Sequence, residues 1–110
     1  MNTENIKAQM RKGILEFCIL SLICKKEMYV SELIDGLKNG ELNVVEGTLY
    51  PLLNRLKNSK FLSYRWEESA SGPPRKYYKI TDEGKLFLTE LQNTWYELTQ
   101  SVKKITQNSH

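Results

Sequence analysis

Histidine is almost missing from this 110-residue chain: the one present is the terminal His110. Without an internal imidazole no Ser–His or Cys–His pair can be assembled, and acid–base work near neutral pH loses its commonest group. The glycines form neither G-x-x-x-x-G-K-[ST] nor G-x-G-x-x-G, so phosphate-cradling loops of those kinds are absent. Two cysteines, Cys18 and Cys24, stand six residues apart, which on a helix separates them by about 240° of rotation. That is not a metal-ligand spacing. Buried, reduced thiols are expected, with redox sensing as the lesser alternative. No enzyme activity, no metal and no cofactor are expected. Long apolar runs are lacking too. Residues 14–24 are interrupted by Glu16 and Ser21, short of the roughly 18 apolar residues that span a bilayer. The opening "MNTENIKAQMRKG" has no secretory layout. A cytoplasmic protein with no membrane partner is the expectation.

Charge is present but unevenly placed. Sixteen Lys and Arg against thirteen Asp and Glu leave only +3. From Arg55 to Lys79, however, Arg55, Lys57, Lys60, Arg65, Arg75, Lys76 and Lys79 face only Glu67 and Glu68, about +5. A concentration of this kind attracts a polyanion; an acidic protein surface would satisfy it as well, and many charge runs are solvated faces.

The apolar pattern places that charge on structure. Residues 6–24 read as a first helix, with Ile14, Leu15, Cys18, Ile19 and Leu22 at helical spacing. A second helix is expected to be capped by Ser31 and closed at Gly40. The third carries Leu49, Leu52, Leu53 and Leu56 at i, i+3, i+4 and i+7. Pro51 is tolerated only in a first turn, so this helix begins around 46–50. Its polar face presents Tyr50, Asn54 and Lys57, flanked by Thr48 and Arg55, residue types that reach phosphates and base edges. "LSYRWE" at 62–67 alternates Leu62, Tyr64 and Trp66 with polar residues, the two-residue period of a half-buried strand, and "RKYYKI" at 75–80 is its partner. "ESASGPP" between them is expected to turn, because Pro73 and Pro74 cannot donate to a ladder.

Thr81 caps a final helix in which Leu88, Leu91, Trp95, Leu98, Val102 and Ile105 recur at alternating threes and fours, a heptad seam suited to self-association. Three helices followed by a hairpin give a mainly α (α+β) winged helix-turn-helix domain over 1–80. Residues 81–110 form an appended dimerisation helix. In such a fold the third helix enters the major groove of double-stranded DNA and the hairpin tip lies on the backbone or in a minor groove. Arg65, Arg75, Lys76 and Tyr77 are then the wing contacts. Two other readings stay open: a winged-helix module that docks an acidic protein, and a small-molecule carrier that does not act on DNA.

Over residues 11–92 the chain resembles the PadR family of bacterial transcriptional regulators, through "RKGILEFCILSLI", "GTLYPLLNRLK" and "GPPRKYYKITDEG" in that order. The resemblance implies a homodimeric winged-helix regulator, usually a repressor, that binds pseudo-palindromic operators and responds to small effectors. It makes Tyr50 and its neighbours, with Arg75 and Lys76, DNA-facing. The single helix after the wing is similar to the short branch of the family, in which the last helix crosses the partner's first and last helices. Some short members bind planar aromatic compounds in a pore at the dimer interface, stacked on a tryptophan of each last helix. Trp95 matches that place, and Phe17 and Ser21 would line the pore; Trp95 as plain dimer core is the alternative.

Overall fold

Every buried leucine of the third expected helix faces one core: Leu49, Leu53 and Leu56 are at most 2% exposed. The computed structural model describes residues 2–107, and His110 lies outside them. In chain order the elements are α1 (Thr3–Lys12), α2 (Leu15–Lys25), α3 (Val30–Asn39), α4 (Glu46–Asn58), β1 (Leu62–Ser69), β2 (Gly72–Ile80) and α5 (Asp82–Gln107). Ile19, Leu20 and Ile23 of α2, Leu33 and Leu37 of α3, the α4 leucines, Leu62, Tyr78 and Ile80 of the hairpin and Leu88 of α5 form that core. The fold is a winged helix-turn-helix, with the two-stranded antiparallel sheet as the wing.

Several boundaries differ from the pattern reading, each for a local reason. The expected helix 6–24 is two, because Gly13, a poor helix former, lets the chain tighten there: Ile14 N–H bonds the Arg11 carbonyl at 3.0 Å. α1 buries no residue, whereas α2 buries four. Helix α3 starts before Ser31, at Val30, where the Glu32 carboxylate accepts from the Tyr29 N–H at 3.2 Å. Its left-handed stop is Glu41 (φ 67°), not Gly40 (φ −89°). Leu42 N–H then returns to the Leu37 carbonyl at 2.8 Å, satisfying an end carbonyl of the helix. Of the cysteines only Cys18 is partly covered, and burial pushes its thiol pKa up; Cys24 is exposed, contrary to the buried expectation.

The hairpin is longer than its apolar alternation. Pairing runs from Leu62 opposite Ile80 to Glu67 opposite Arg75, then shifts by one so that Ser69 meets Gly72. The shift sets Pro73 and Pro74 against Glu68 alone, at a bulge near the tip where missing N–H donors cost no ladder bond. Both prolines therefore belong to β2, and the turn is made by Ala70 and Ser71. On the far side of β2, Met28 adds a single antiparallel bridge: its N–H donates to the Tyr78 carbonyl at 3.1 Å, and the Tyr78 N–H returns at 2.8 Å.

Helix α5 begins as the cap expectation had it. Thr81 Oγ1 accepts from the Gly84 N–H at 2.9 Å and donates to the Lys60 carbonyl at 2.7 Å. Gly84 is buried against Phe61, and the Phe61 and Phe87 rings stack at 4.2 Å. Leu88 is 5% exposed and packs inside this core, and Leu91 is half-buried against it. The first two members of the expected dimer seam thus close the chain's own core. Trp95, Leu98, Val102 and Ile105 remain 45–73% exposed.

A side chain at Gly84 would collide with the Phe61 carbonyl oxygen and sit 2.8 Å from Ile80 Cγ1. Gly84→Ala is expected to lower unfolding stability by roughly 2–3 kcal/mol, since backbone must move. Thermal denaturation would check this; an unchanged melting temperature would show that α5 docks differently.

Candidate nucleic-acid interface

Leucines on one face of α4 force its polar face outward, and the hairpin rises beside that face. Between them lies a cleft of about 320 Å³. Tyr50 and Glu46 line it from α4, Ser31 and Tyr29 from the start of α3, and Trp66, Arg75 and Lys76 from the wing. Tyr50 is 44% exposed. Asn54, one turn further along α4, and Thr48, in its first turn, are exposed. Thr48 faces a separate groove bordered by Arg11 and Lys12 of the α1 end.

The cations expected to reach DNA divide into two groups. Lys76 stands directly opposite Trp66 in the hairpin, its Nζ 4.0 Å from the Tyr64 ring centre and 5.5 Å from that of Trp66. Lys57 also lies over the Tyr64 ring, its Nζ 5.1 Å from the centre. Arg75 covers the Tyr29 ring at 4.6 Å. In all three the charged head itself lies over a ring, a cation–π placement that leaves its charge unneutralised.

Arg55 and Arg65 are already engaged, which the sequence reading did not foresee. Arg55 makes a two-pronged pair with Glu16 of α2, which raises its guanidinium pKa. Arg65 donates to Glu27 at 2.8 Å and to Glu67 at 3.2 Å, again raising its pKa, and covers the Tyr77 ring at 4.9 Å. Tyr77 in turn packs edge-on against Tyr29, ring centres 5.2 Å apart. Arg65 and Tyr77 therefore brace the wing against the α2–α3 link, on the face of the hairpin opposite Trp66 and Lys76. Arg65 remains 49% exposed while it makes these contacts.

Trp66 and Tyr64 depart from the sequence expectation in the other direction. Alternation assigns both to the core face, but the core ends beneath Leu62. Exposure climbs along that face from 2% at Leu62 to 36% at Tyr64 and 62% at Trp66. Beneath them the Tyr78 hydroxyl is buried and has no hydrogen-bond partner among the described residues; desolvation raises its pKa, as do Tyr50 and Tyr64 nearby. Glu46 sets a carboxylate in the cleft, repelling phosphate but suited to accept from a base-edge amino group.

The expected ligand residues are also separated. Trp95 lies 6.4 Å from Phe17 between ring centres and, with Met10, Ile14, Leu98 and Val102, borders an apolar hollow of about 470 Å³. Ser21 bonds back to the Phe17 carbonyl at 2.8 Å and borders a different hollow, beside Gly36. Among the described residues no group of three His, Cys, Asp or Glu side chains could hold a metal ion, and no helix is long and apolar enough to cross a membrane.

Residues 19–90 match the family described as the transcriptional regulator PadR-like family. Solved structures agree along most of the chain. A PadR-like transcription factor from Bacteroides fragilis is 57% identical, covering 92% of this chain and 98% of that one, with a TM-score of 0.78. A PadR-like transcriptional regulator from Bacillus cereus is 40% identical over 92% of this chain and 99% of its own, with a TM-score of 0.80. A PadR family transcriptional regulator from Eggerthella lenta is 31% identical over 96% and 93%, with a TM-score of 0.88.

If Arg65 is a brace, its loss should loosen the wing and spare the helical core. Arg65→Met is expected to speed hydrogen exchange at the Met28 and Tyr78 amides severalfold and leave Leu53 unchanged. Equal protection in parent and variant would show that the Glu27 pair restrains nothing.

Proposed function

Because this chain belongs to the PadR-like transcriptional regulator family, we propose that it is a repressor that binds a pseudo-palindromic operator as a homodimer in the cytoplasm. The observation that carries this reading is the shared cleft: Tyr50 on α4 and Arg75 and Lys76 on the wing line one opening. A helix and a cationic finger at fixed separation fit adjacent grooves of one duplex. Tyr50, Asn54 and Lys57, with Thr48 at the helix start, address the major groove. Arg75 and Lys76 hold the neighbouring phosphates. Arg55 and Arg65 orient these elements from behind.

Dimerisation falls to the exposed half of α5. Trp95, Leu98, Val102 and Ile105 form an apolar stripe too long for the chain's own core, and a second copy would cover it. A small aromatic effector at Trp95, within the hollow closed by that second copy, releases the operator. Binding there and binding to DNA must then be reciprocally coupled.

Neutralising six to ten phosphates should weaken binding about 10³–10⁵-fold between 50 and 200 mM salt. Arg75→Ala should weaken binding to all duplexes alike and reduce the logarithmic salt slope by about 1. Fluorescence anisotropy on a duplex selected by the protein from a random pool measures both, and salt-independent binding would refute the reading. Leu98→Asp should give a monomer by sedimentation with affinity for a symmetric site reduced at least about a hundredfold, as expected when two linked contacts become one. An unchanged dimer would move the interface off α5.

A further inference from the structure

Trp66 is a large apolar side chain left 62% exposed on the wing while smaller residues fill the core. Its position explains the exposure: it lies on the core-side face of β1, beyond the last buried layer, so that face opens into the cleft beside Tyr50. The register sets Lys76 directly across from it, and Lys76 Nζ is held between the Tyr64 and Trp66 rings. An indole and a fixed ammonium therefore present themselves side by side to whatever enters the cleft.

We infer that Trp66 packs its ring on the deoxyribose face of the DNA strand that passes between α4 and the wing, while Lys76 holds the adjoining phosphate. The inference rests on the DNA-binding reading above. Charge complementarity at Arg75 and Lys76 selects a polyanion as the occupant. Within a duplex the flat base faces are stacked and inaccessible, so the apolar surface lying next to a phosphate is the sugar. A ring that covers it adds affinity without neutralising charge, and this contribution persists at high salt when the ionic part has faded. It also fixes the depth at which the wing sits, because the indole cannot be compressed as a lysine stem can.

Ionic and apolar contacts leave different signatures. Trp66→Ala is expected to weaken binding to the selected duplex about tenfold with an unchanged logarithmic salt slope. Trp66→Phe should recover most of the loss. Lys76→Ala should lower the slope by about 1. In fluorotryptophan-labelled protein, Trp66 and Trp95 give two fluorine resonances, assigned with Trp66→Phe. The Trp66 signal should shift on adding the duplex. Wild-type affinity with an unmoved Trp66 signal in the presence of bound DNA would overturn the inference and leave the DNA-binding reading standing. A weakened Trp66→Ala protein whose slope also falls by about 1 would overturn it as well, showing that the ring only holds Lys76. Failure of the wild-type protein to retain any duplex would remove both.

Discussion

Two backbone hydrogen bonds between Met28 and Tyr78 decide where the wing stands. They join β2 to the link between α2 and α3, and the Tyr78 ring, 1% exposed, locks the junction into the core. Such bonds contribute only about 1 kcal/mol each, but they operate at one defined register. Leu62 and Ile80 anchor the root of the hairpin in the same core that holds the α4 leucines. The cleft width is therefore set by packing between residues far apart in sequence. Arg65 with Glu27, and Tyr77 against Tyr29, reinforce the outer side of that junction.

The division of labour among cations follows from the same geometry. A guanidinium offers a planar fork that pairs two-pronged with carboxylates, as Arg55 does with Glu16. Lys57 and Lys76 set their ammonium groups over aromatic faces, which attract the cation without neutralising it. A local count over residues 55–79 thus leaves out Glu16 and Glu27, which pair with Arg55 and Arg65 across the fold. Of the cations expected at DNA, Lys57, Arg75 and Lys76 lie over aromatic rings, and Arg55 and Arg65, 64% and 49% exposed, pair with carboxylates of the chain.

Much of this was legible in the residues because it depends on short-range periodicity. The α4 stripe, the Thr81 cap and the base of the hairpin are each determined within a few positions. Features that depend on where the core ends were not. Alternation gives Leu62, Tyr64 and Trp66 the same sidedness, but only three-dimensional packing shows that the layer beneath them stops after the first. Heptad spacing likewise runs through Leu88 and Ile105 without marking the point where α5 leaves its own core. The left-handed stop at Glu41 rather than Gly40 escaped notice because one residue's shift costs little against the Leu42 to Leu37 bond it completes. The cleft was legible in the residues as a helix and a finger; its aromatic floor was not.

A fixed spacing between α4 and the wing, doubled by the two-fold symmetry of the proposed homodimer, should be written on the DNA itself. Hydroxyl-radical footprinting of the selected duplex reads it most directly. The expected result is two equivalent protected patches whose centres lie about 10 bp apart or a multiple of that, each covering a major groove and the adjoining backbone. A single unsymmetrical patch, or protection that varies in spacing between bound sequences, would contradict a helix and wing held at one fixed separation.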